Sequence, residues 1–339
     1  MSNNTVPPLH GFDPVTVTPL FTHGGCQVDM LRLDLIDSIV SGNKWFKLKY
    51  NLHEALSQGY SGVMSFGGAH SNHLHALAGV GKRFGLPVMG FVRCQGGRLA
   101  DPLSETLIDC QRWGMVLKPL TWSQYRLRYS PAFCSALSAK YPDYFLIPEG
   151  GSNPAGVKGV VEMLHTVGLH DYDYVVCPTG SGGTLAGVAS AIAEPGSQAG
   201  YVDKKVKALG ISALKGLEGK LEKTVAGLLD EYACEAGQVP AGAGSWRVLH
   251  DFHCGGFGKV SRPLISFKDS FQARFGIELD LVYTAKMMYA VSKLLDRQEF
   301  PSGSRILVLH TGGLQGNRTA RQESQSGELE KWPGIGSHE

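Results

Sequence analysis

Several features are missing from this sequence of 339 residues, and each absence excludes a class of protein. No apolar run reaches the ~20 residues that a helix needs to cross a bilayer, and no basic segment followed by an apolar one opens the chain. An excess of one charge is missing too, because 32 Lys and Arg residues stand against 30 Asp and Glu residues. Nucleic acid and anionic membranes are therefore poor candidates for the main partner, and we expect a soluble protein of the cytoplasm.

Paired cysteine motifs are also absent. The seven cysteines are scattered and contain no C-x-x-C, which is typical of free thiols in a reducing compartment. His70, His73 and His75 lie close together in the sequence. Only the first two could share a helix face, and the segment holds no carboxylate or cysteine, so we predict no metal site.

What the sequence does contain is glycine, at 44 residues, and a hydrophobic fraction of 43% that is enough for a buried core. Short apolar stretches alternate with helical patterns along most of the chain. This alternation predicts an α/β fold with parallel sheets that helices cover on both faces.

Four glycine clusters follow predicted strands, in the segments 66–73, 148–156, 178–184 and 310–316. Each cluster lies where a strand ends and a helix can begin. Ligands bind at that edge of open α/β sheets, so four clusters together indicate a binding site rather than ordinary turns.

The third cluster gives the strongest chemical signal. It runs from a buried strand into a helix through Thr179, Gly180, Ser181, Gly182, Gly183 and Thr184. Backbone N–H groups and the positive end of the helix would meet in one concavity suited to a single phosphate. Two other phosphate-binding motifs do not fit the sequence. The dinucleotide fingerprint G-x-G-x-x-G would need glycine where Leu185 stands. The Walker A motif G-x-x-x-x-G-K, tested at Gly81-Lys82, would need glycine where Ala76 stands. Pyridoxal phosphate is the preferred cofactor, because its phosphate is an anchor rather than a reactant.

A cofactor of this kind needs one lysine for its Schiff base, and Lys44 in SGNKWFKLKYNL is the best candidate. Ser-Gly-Asn before it can cap a helix, and Trp45 and Phe46 can desolvate the amine and lower its pKa. From this segment alone, a solvated lysine in the first turn of a helix remains an alternative.

Five motifs in order now resemble one family: G-N-K-x-x-K-L-x-x-x-L, G-G-x-x-S-N-H, T-G-S-x-G-T-x-A-G, L-D-x-V-Y-T and H-T-G-G. They are similar to the fold-type II pyridoxal-phosphate enzymes of the 1-aminocyclopropane-1-carboxylate deaminase and D-cysteine desulfhydrase group, from about Val17 to Gly316. The resemblance implies a tryptophan-synthase-β-like fold with two open, twisted, mostly parallel sheets. It also implies a large cofactor domain (1–50 plus 165–339), a small inserted domain (51–164) and a homodimer.

The resemblance also implies roles for individual residues. Lys44 would form the Schiff base and move the Cα proton of a small amino-acid substrate. Ser71, Asn72 and His73 would bind the substrate carboxylate, with Asn72 also bonded to the ring oxygen of the cofactor. The 179–184 loop would hold the phosphate, and Tyr283 would assist proton transfer or the leaving group.

Two threonines bear on the choice of reaction. Thr284 stands where the deaminases resembling this chain have a glutamate that pairs with the pyridine nitrogen, whereas the desulfhydrases have threonine there; Thr311 also resembles the desulfhydrases. We expect one of these hydroxyls to face the nitrogen. That would give a weaker electron sink, suited to expelling a β-substituent rather than to opening a ring.

We therefore expect β-elimination like that of a D-cysteine desulfhydrase, giving a 2-oxo acid and ammonia, with deamination of the cyclopropane acid as the alternative. A non-catalytic cofactor-binding protein is an alternative of another class. Phe257, at a position expected to bind substrate, favours that class because the family pattern has a tyrosine there; Lys44 and Tyr283 oppose it.

Overall fold

The computed structural model describes residues 9, 11–194, 206–242 and 244–320. Its strands are β1 Val17–His23, β2 Cys26–Arg32, β3 Gly62–Gly67, β4 Val88–Arg93, β5 Val116–Leu120, β6 Tyr144–Leu146, β7 Tyr174–Thr179, β8 Lys207–Ser212, β9 Trp246–Leu249 and β10 Arg305–His310. Its helices are α1 Lys44–Ser57, α2 Asn72–Phe84, α3 Glu105–Arg112, α4 Trp122–Arg126, α5 Pro131–Lys140, α6 Pro154–His165, α7 Gly183–Ala193, α8 Lys220–Ala236, α9 Arg262–Phe275, α10 Thr284–Asp296 and α11 Asn317–Ala320.

The strands form two open sheets. The larger has the order β1-β2-β10-β7-β8-β9, and the smaller has the order β5-β4-β3-β6. Every pairing is parallel except the antiparallel hairpin of β1 and β2. The predicted fold class, α/β with two mostly parallel sheets flanked by helices, is confirmed.

The β1–β2 hairpin is an element that the sequence patterns did not predict. Gly24 and Gly25 connect the strands with φ angles of 58° and 77°. Two successive positive φ angles are typical of a two-residue hairpin turn and favour glycine at both positions. The hairpin closes one edge of the larger sheet, and its second strand pairs with β10, which leads into the H-T-G-G segment.

The hydrophobic clusters follow the sheets, with one difference from the expected domain boundary. Leu48 and Leu52 of α1 pack in the core of the smaller sheet, whereas Val157 and Val160 of α6 pack in the core of the larger. Helices α1 and α6 also contact each other, so each connects one sheet to the other. We keep the division into 1–50 plus 165–339 and 51–164 as a proposal.

Among the described residues, none of the helices is both long and apolar enough to cross a bilayer. The segment from about Gln322, which we expect to be a frayed end, lies outside the described residues. So does most of the polar loop 194–205.

Candidate active site

The site begins at the turn before α1. Asn43 precedes the helix and is buried, and its amide Nδ2 donates a hydrogen bond of 2.7 Å to the hydroxyl of Thr184. The same side chain accepts a 2.9 Å hydrogen bond at Oδ1 from Nζ of Lys44. Its backbone N–H donates to the carbonyl of Thr311 at 3.3 Å. One asparagine thus connects the candidate lysine to the third and fourth glycine clusters.

Gly42 makes this close approach possible. Its φ is +85°, and a Cβ there would lie 2.1 Å from the carbonyl oxygen of Thr311. Any other residue would separate the two loops, because the clash is with backbone rather than with a flexible side chain. The glycine before Lys44 therefore brings the lysine next to the H-T-G-G segment.

Lys44 is partly exposed at the surface but lies in a desolvating environment. Burial lowers the pKa of its amine to about 8, and the negative charge of Asp280 opposes that shift. An amine with this pKa is partly neutral near pH 7, which Schiff-base chemistry and proton transfer both require.

The loop between β7 and α7 has the geometry of an anion cradle. Gly182 has a φ of +83° and immediately precedes the helix. A Cβ on Gly183 would lie 2.7 Å from Nζ of Lys47 and 2.9 Å from Oγ of Ser152. Ser152 in turn lies 2.6 Å, hydroxyl to hydroxyl, from Ser181. The space beside the loop is thus open only because residue 183 is a glycine, and the polar groups of Lys47, Ser152 and Ser181 line this space.

Lys47 is the residue in this cradle that sequence reasoning missed. It is 1% exposed, and its Nζ donates a 2.8 Å hydrogen bond to Ser152. Burial, and then the charge of Lys44, hold the pKa of Lys47 well below its ordinary value. The signal was the K-x-x-K spacing at the start of α1, which puts both amines near one face of the first helical turn.

The second glycine-rich motif forms the start of α2. Ser71 caps the helix, and its hydroxyl accepts a 3.2 Å hydrogen bond from the N–H of Leu74. Its hydroxyl hydrogen remains available to a ligand. The side chain of Asn72 accepts a 2.7 Å hydrogen bond from the amide of Gln315. A Cβ on Gly313 would lie 2.3 Å from Nδ2 of Asn72. The start of α2 therefore lies against the fourth glycine cluster.

His73 faces the protein interior. It is 3% exposed, and its Nε2 lies 2.8 Å from the hydroxyl of Ser65. Its Nδ1 is buried without a hydrogen-bond partner among the described residues. Burial, followed by the charges of Lys44 and Lys47, lowers the pKa of His73 well below its ordinary value. The ring is thus neutral and lies close to both lysines.

The L-D-x-V-Y-T motif is a helix start built around Asp280. This buried carboxylate accepts hydrogen bonds of 2.8–3.0 Å from the N–H groups of Val282, Tyr283 and Thr284 and one of 2.7 Å from the Thr284 hydroxyl. The same hydroxyl accepts the N–H of Asp280 at 2.7 Å. Thr284 is fully buried and its hydroxyl is used in capping α10.

Tyr283 lies beside the phosphate loop. A Cβ on Gly180 would be 3.1 Å from its ring, and the ring of Phe257 is 6.0 Å away, centroid to centroid. Burial, and then the charges of Asp280 and Glu149, raise the pKa of the Tyr283 phenol. Phe257 is 47% exposed, so it borders the site from the solvent side.

Thr311 follows β10 and is 8% exposed. Its backbone carbonyl is bonded to Asn43, while its hydroxyl makes no hydrogen bond to any described residue. Of the two threonines singled out in the sequence, Thr311 therefore has the available hydroxyl.

Thr179 ends β7 with its hydroxyl 3.4 Å from the carbonyl of Cys177, so its side chain belongs to the strand end rather than to the open loop.

The three neighbouring histidines are not brought together. His75 lies 3.3 Å from a carboxylate oxygen of Asp109, His73 is bonded to Ser65, and His70 is exposed. Over the described ranges, no group of three or more His, Cys, Asp or Glu residues has an arrangement that could hold a metal ion.

The residues present fit pyridoxal phosphate. The phosphate suits the glycine loop, whose space a Cβ on Gly183 would fill, and buried Lys47, which has one hydroxyl partner. The aldehyde suits the amine of Lys44, whose pKa is lowered. The burial of Lys47 beside a neutral hydroxyl is the clearest of these observations, because a buried cation needs an anion to compensate it.

Comparison with known families gives the same cofactor. The profile of the family described as "Pyridoxal-phosphate dependent enzyme" matches residues 25–312. A protein of Thermotoga maritima named a putative 1-aminocyclopropane-1-carboxylate deaminase is 29% identical over 301 residues, covering 86% of this chain and 90% of its own. A D-cysteine desulfhydrase of Klebsiella pneumoniae is 26% identical over 310 residues, covering 87% and 89%.

Solved structures give the same fold. A crystal structure described as that of an ACC deaminase homologue superposes with a TM-score of 0.72 at 25% identity, covering 91% of this chain and 92% of that one. A cysteine synthase of Entamoeba histolytica has a TM-score of 0.61 at 14% identity, covering 97% and 94%, which shows likeness of fold alone.

Proposed function

Because the chain belongs to the pyridoxal-phosphate-dependent enzymes, in the 1-aminocyclopropane-1-carboxylate deaminase and D-cysteine desulfhydrase family, we propose that it is a lyase. The proposed reaction is β-elimination from a small amino acid, in the manner of a D-cysteine desulfhydrase, giving a 2-oxo acid and ammonia.

The observation that carries the choice of β-elimination concerns Thr284 and Thr311. The position that the deaminases fill with glutamate holds Thr284, and the hydroxyl of Thr284 is bonded to Asp280. That leaves the Thr311 hydroxyl as the group available to the pyridine nitrogen. A hydroxyl keeps this nitrogen more nearly neutral than a carboxylate does, which is sufficient to expel a good leaving group.

The cofactor would be held by four parts of the chain. Lys44 would bond its aldehyde carbon, while Lys47 and the 179–184 loop would bind its phosphate with N–H, hydroxyl and ammonium donors. Asn72, at the start of α2, would meet its ring oxygen. When bound, pyridoxal phosphate supplies the electron sink that makes the Cα–H bond of an amino acid acidic.

The protein's own side chains would orient the substrate and move its protons. Ser71, with the free N–H groups at the start of α2, would orient the substrate carboxylate, while His73 supports that loop from inside. Lys44, released from the cofactor, would take the Cα proton at Nζ, which its pKa of about 8 allows near neutral pH. Tyr283 keeps its phenolic proton because its pKa is raised, so it can donate that proton to the departing β-substituent. Phe257 would close the site toward solvent.

Deamination of 1-aminocyclopropane-1-carboxylate is the second candidate, favoured by relatives named as putative deaminases, such as the Thermotoga maritima protein. Opening the ring requires a deeper electron sink and more acid–base groups than the threonines and Phe257 provide. The two reactions give different products, so one experiment separates them.

The test offers the purified holoprotein three compounds. D-cysteine and β-chloroalanine should give pyruvate, whereas the cyclopropane acid should give little or no 2-oxobutyrate. Robust 2-oxobutyrate from the unmodified protein would reject β-elimination in favour of the deaminase, and no product from any of the three would favour the non-catalytic alternative.

We also propose a homodimer in a reducing compartment such as the cytoplasm. The support for the compartment is that all seven cysteines are free, four of them buried. The dimer rests on family resemblance, and sedimentation velocity would test it.

A further inference from the structure

A cluster of aromatic and charged side chains lies at the carboxyl edge of the smaller sheet. Gly68 follows β3, Arg93 ends β4, Trp122 follows β5 and Glu149 follows β6. Ligands of open parallel sheets bind at this edge. Gly68 belongs to the loop that leads into Ser71, so the cluster borders the segment that we propose binds the substrate carboxylate.

Two arginines share this cluster with a single carboxylate. Arg128 donates from Nε to Glu149 at 2.5 Å and from Nη1 to the carbonyl of Tyr125 at 2.9 Å. The hydroxyls of Tyr125 and Tyr129 also donate to Glu149. Both oxygens of this carboxylate are therefore occupied, and its charge is compensated by Arg128.

Arg93 has no such partner. Its guanidinium carbon lies 4.3 Å from the ring centroid of Trp122 and 5.5 Å from that of Tyr125. Among the described residues, its guanidinium makes no hydrogen bond or ion pair. It is half-buried, and arginine stays protonated at any physiological pH. One positive charge thus remains uncompensated, held in place by aromatic rings.

Two close approaches show where the cluster lies relative to the proposed site. An Nη2 atom of Arg93 lies 3.3 Å from where a Cβ on Gly68 would be, so glycine leaves that nitrogen accessible from the loop. On the other side of the cluster, a Cβ on Gly150 would lie 2.6 Å from the hydroxyl of Ser181 in the phosphate loop. The charge of Glu149 is also one of the causes that raise the pKa of Tyr283. The cluster therefore lies next to the proposed catalytic groups.

We propose that Arg93 binds a second anionic group on the substrate, so that the enzyme prefers small amino acids whose β-substituent is itself an anion. The proposal rests on the function proposed above and names its substrate class. The α-carboxylate already has Ser71 and the start of α2, which leaves the Arg93 guanidinium for another acid. Neither D-cysteine nor the cyclopropane acid carries such a group.

O-Phosphoserine is a suitable probe of this class. The Cα–H and Cβ–O bonds break, the electron pair of the Cβ–O bond leaves with phosphate, and a Cα–Cβ double bond forms. Water then releases ammonia and leaves pyruvate, so no oxidant or reductant is needed. β-Chloroalanine is the matched neutral substrate, and both enantiomers of each compound are assayed.

The decisive quantity is the ratio of kcat/KM for O-phosphoserine to that for β-chloroalanine in holoenzyme. Arg93→Gln should lower this ratio about 10- to 100-fold, because it removes a charge-assisted hydrogen bond made by only one of the two substrates. Arg126→Gln is the control, since Arg126 is an exposed arginine on α4 and its loss should leave the ratio unchanged. An equal loss for both substrates would overturn the proposal, because Arg93 would then bind the α-carboxylate.

A binding measurement separates this proposal from the proposed function. Aspartate and alanine are titrated into holoprotein, and binding is followed by the change in cofactor absorbance. Aspartate should bind at least about 10-fold more tightly than alanine, and Arg93→Gln should abolish the difference. If neither substrate yields pyruvate but this preference is found, β-elimination fails and the role of Arg93 stands. If pyruvate forms and neither the ratio nor the preference depends on Arg93, only the role of Arg93 fails.

Discussion

Lys44→Ala should lower the turnover of D-cysteine or β-chloroalanine by about 10³-fold or more, because it removes both the Schiff-base amine and the proposed Cα base. The fold should survive this substitution. Among the described residues, the Lys44 side chain makes one hydrogen bond, to Asn43, and the contacts that join the two glycine loops come from Asn43 itself. Turnover is measured as pyruvate formation, and the helical circular dichroism signal should match that of the unmodified protein.

Lys49→Ala is the matched control for this experiment. Lys49 lies on the same helix and pairs with Glu162 at 2.7 Å, with side chains that are 31% and 45% exposed. Exposed ion pairs contribute about 0–1 kcal/mol, so the control should keep near-normal turnover and stability. If Lys44→Ala kept more than about a tenth of the activity, Lys44 could not be both the cofactor lysine and the base.

Lys47→Met is expected to change cofactor affinity and apoprotein stability in opposite directions. Methionine preserves most of the side-chain volume but removes the ammonium group that we propose binds the phosphate. The dissociation constant of pyridoxal phosphate should increase about 10- to 100-fold, the effect of one charged hydrogen bond. The apoprotein should become more stable by about 1–3 kcal/mol, because a poorly compensated buried cation is replaced by an apolar group.

The pH dependence of stability gives this prediction a second readout. Burial lowers the pKa of Lys47 in the folded state, whereas the unfolded chain keeps the ordinary value near 10.5. Below that pH the unfolded chain binds the proton more strongly, so Lys47 destabilises the folded apoprotein. The stability advantage of Lys47→Met should therefore be largest near neutral pH and shrink as the pH rises toward 10.5. Urea unfolding at several pH values measures it, with Lys49→Met as control, and a less stable apoprotein with unchanged cofactor affinity would contradict the assignment.

The sequence motifs predicted the principal elements of the site because each is local in the chain. The cap at Ser71 and the glycine loop at 179–184 depend on a few neighbouring residues, and the structure has them as a loop-to-helix and a strand-to-helix turn. The alternation of apolar strands and helices predicted parallel sheets flanked by helices for the same reason.

What the sequence did not predict depends on contacts between distant segments. The proposed role of Lys47 rests on its 2.8 Å bond to Ser152, a residue 105 positions away, and the K-x-x-K spacing alone does not show that this lysine is buried. Likewise, we propose the Thr311 hydroxyl rather than that of Thr284 for the pyridine nitrogen because the Thr284 hydroxyl is bonded to Asp280 in the folded chain. The environment of Arg93 likewise depends on Trp122 and Tyr125, whose rings contact its guanidinium from segments about 30 residues further along the chain.

The most direct test of the central claim is to identify the lysine that carries the cofactor. Holoprotein is reduced with borohydride, digested, and the pyridoxyl-labelled peptide is sequenced by mass spectrometry. The account predicts a yellow protein and a label on Lys44 alone, with Lys47, one helical turn away, unmodified. A label on Lys47 or any other lysine, or no visible absorbance after pyridoxal phosphate is added, would contradict it.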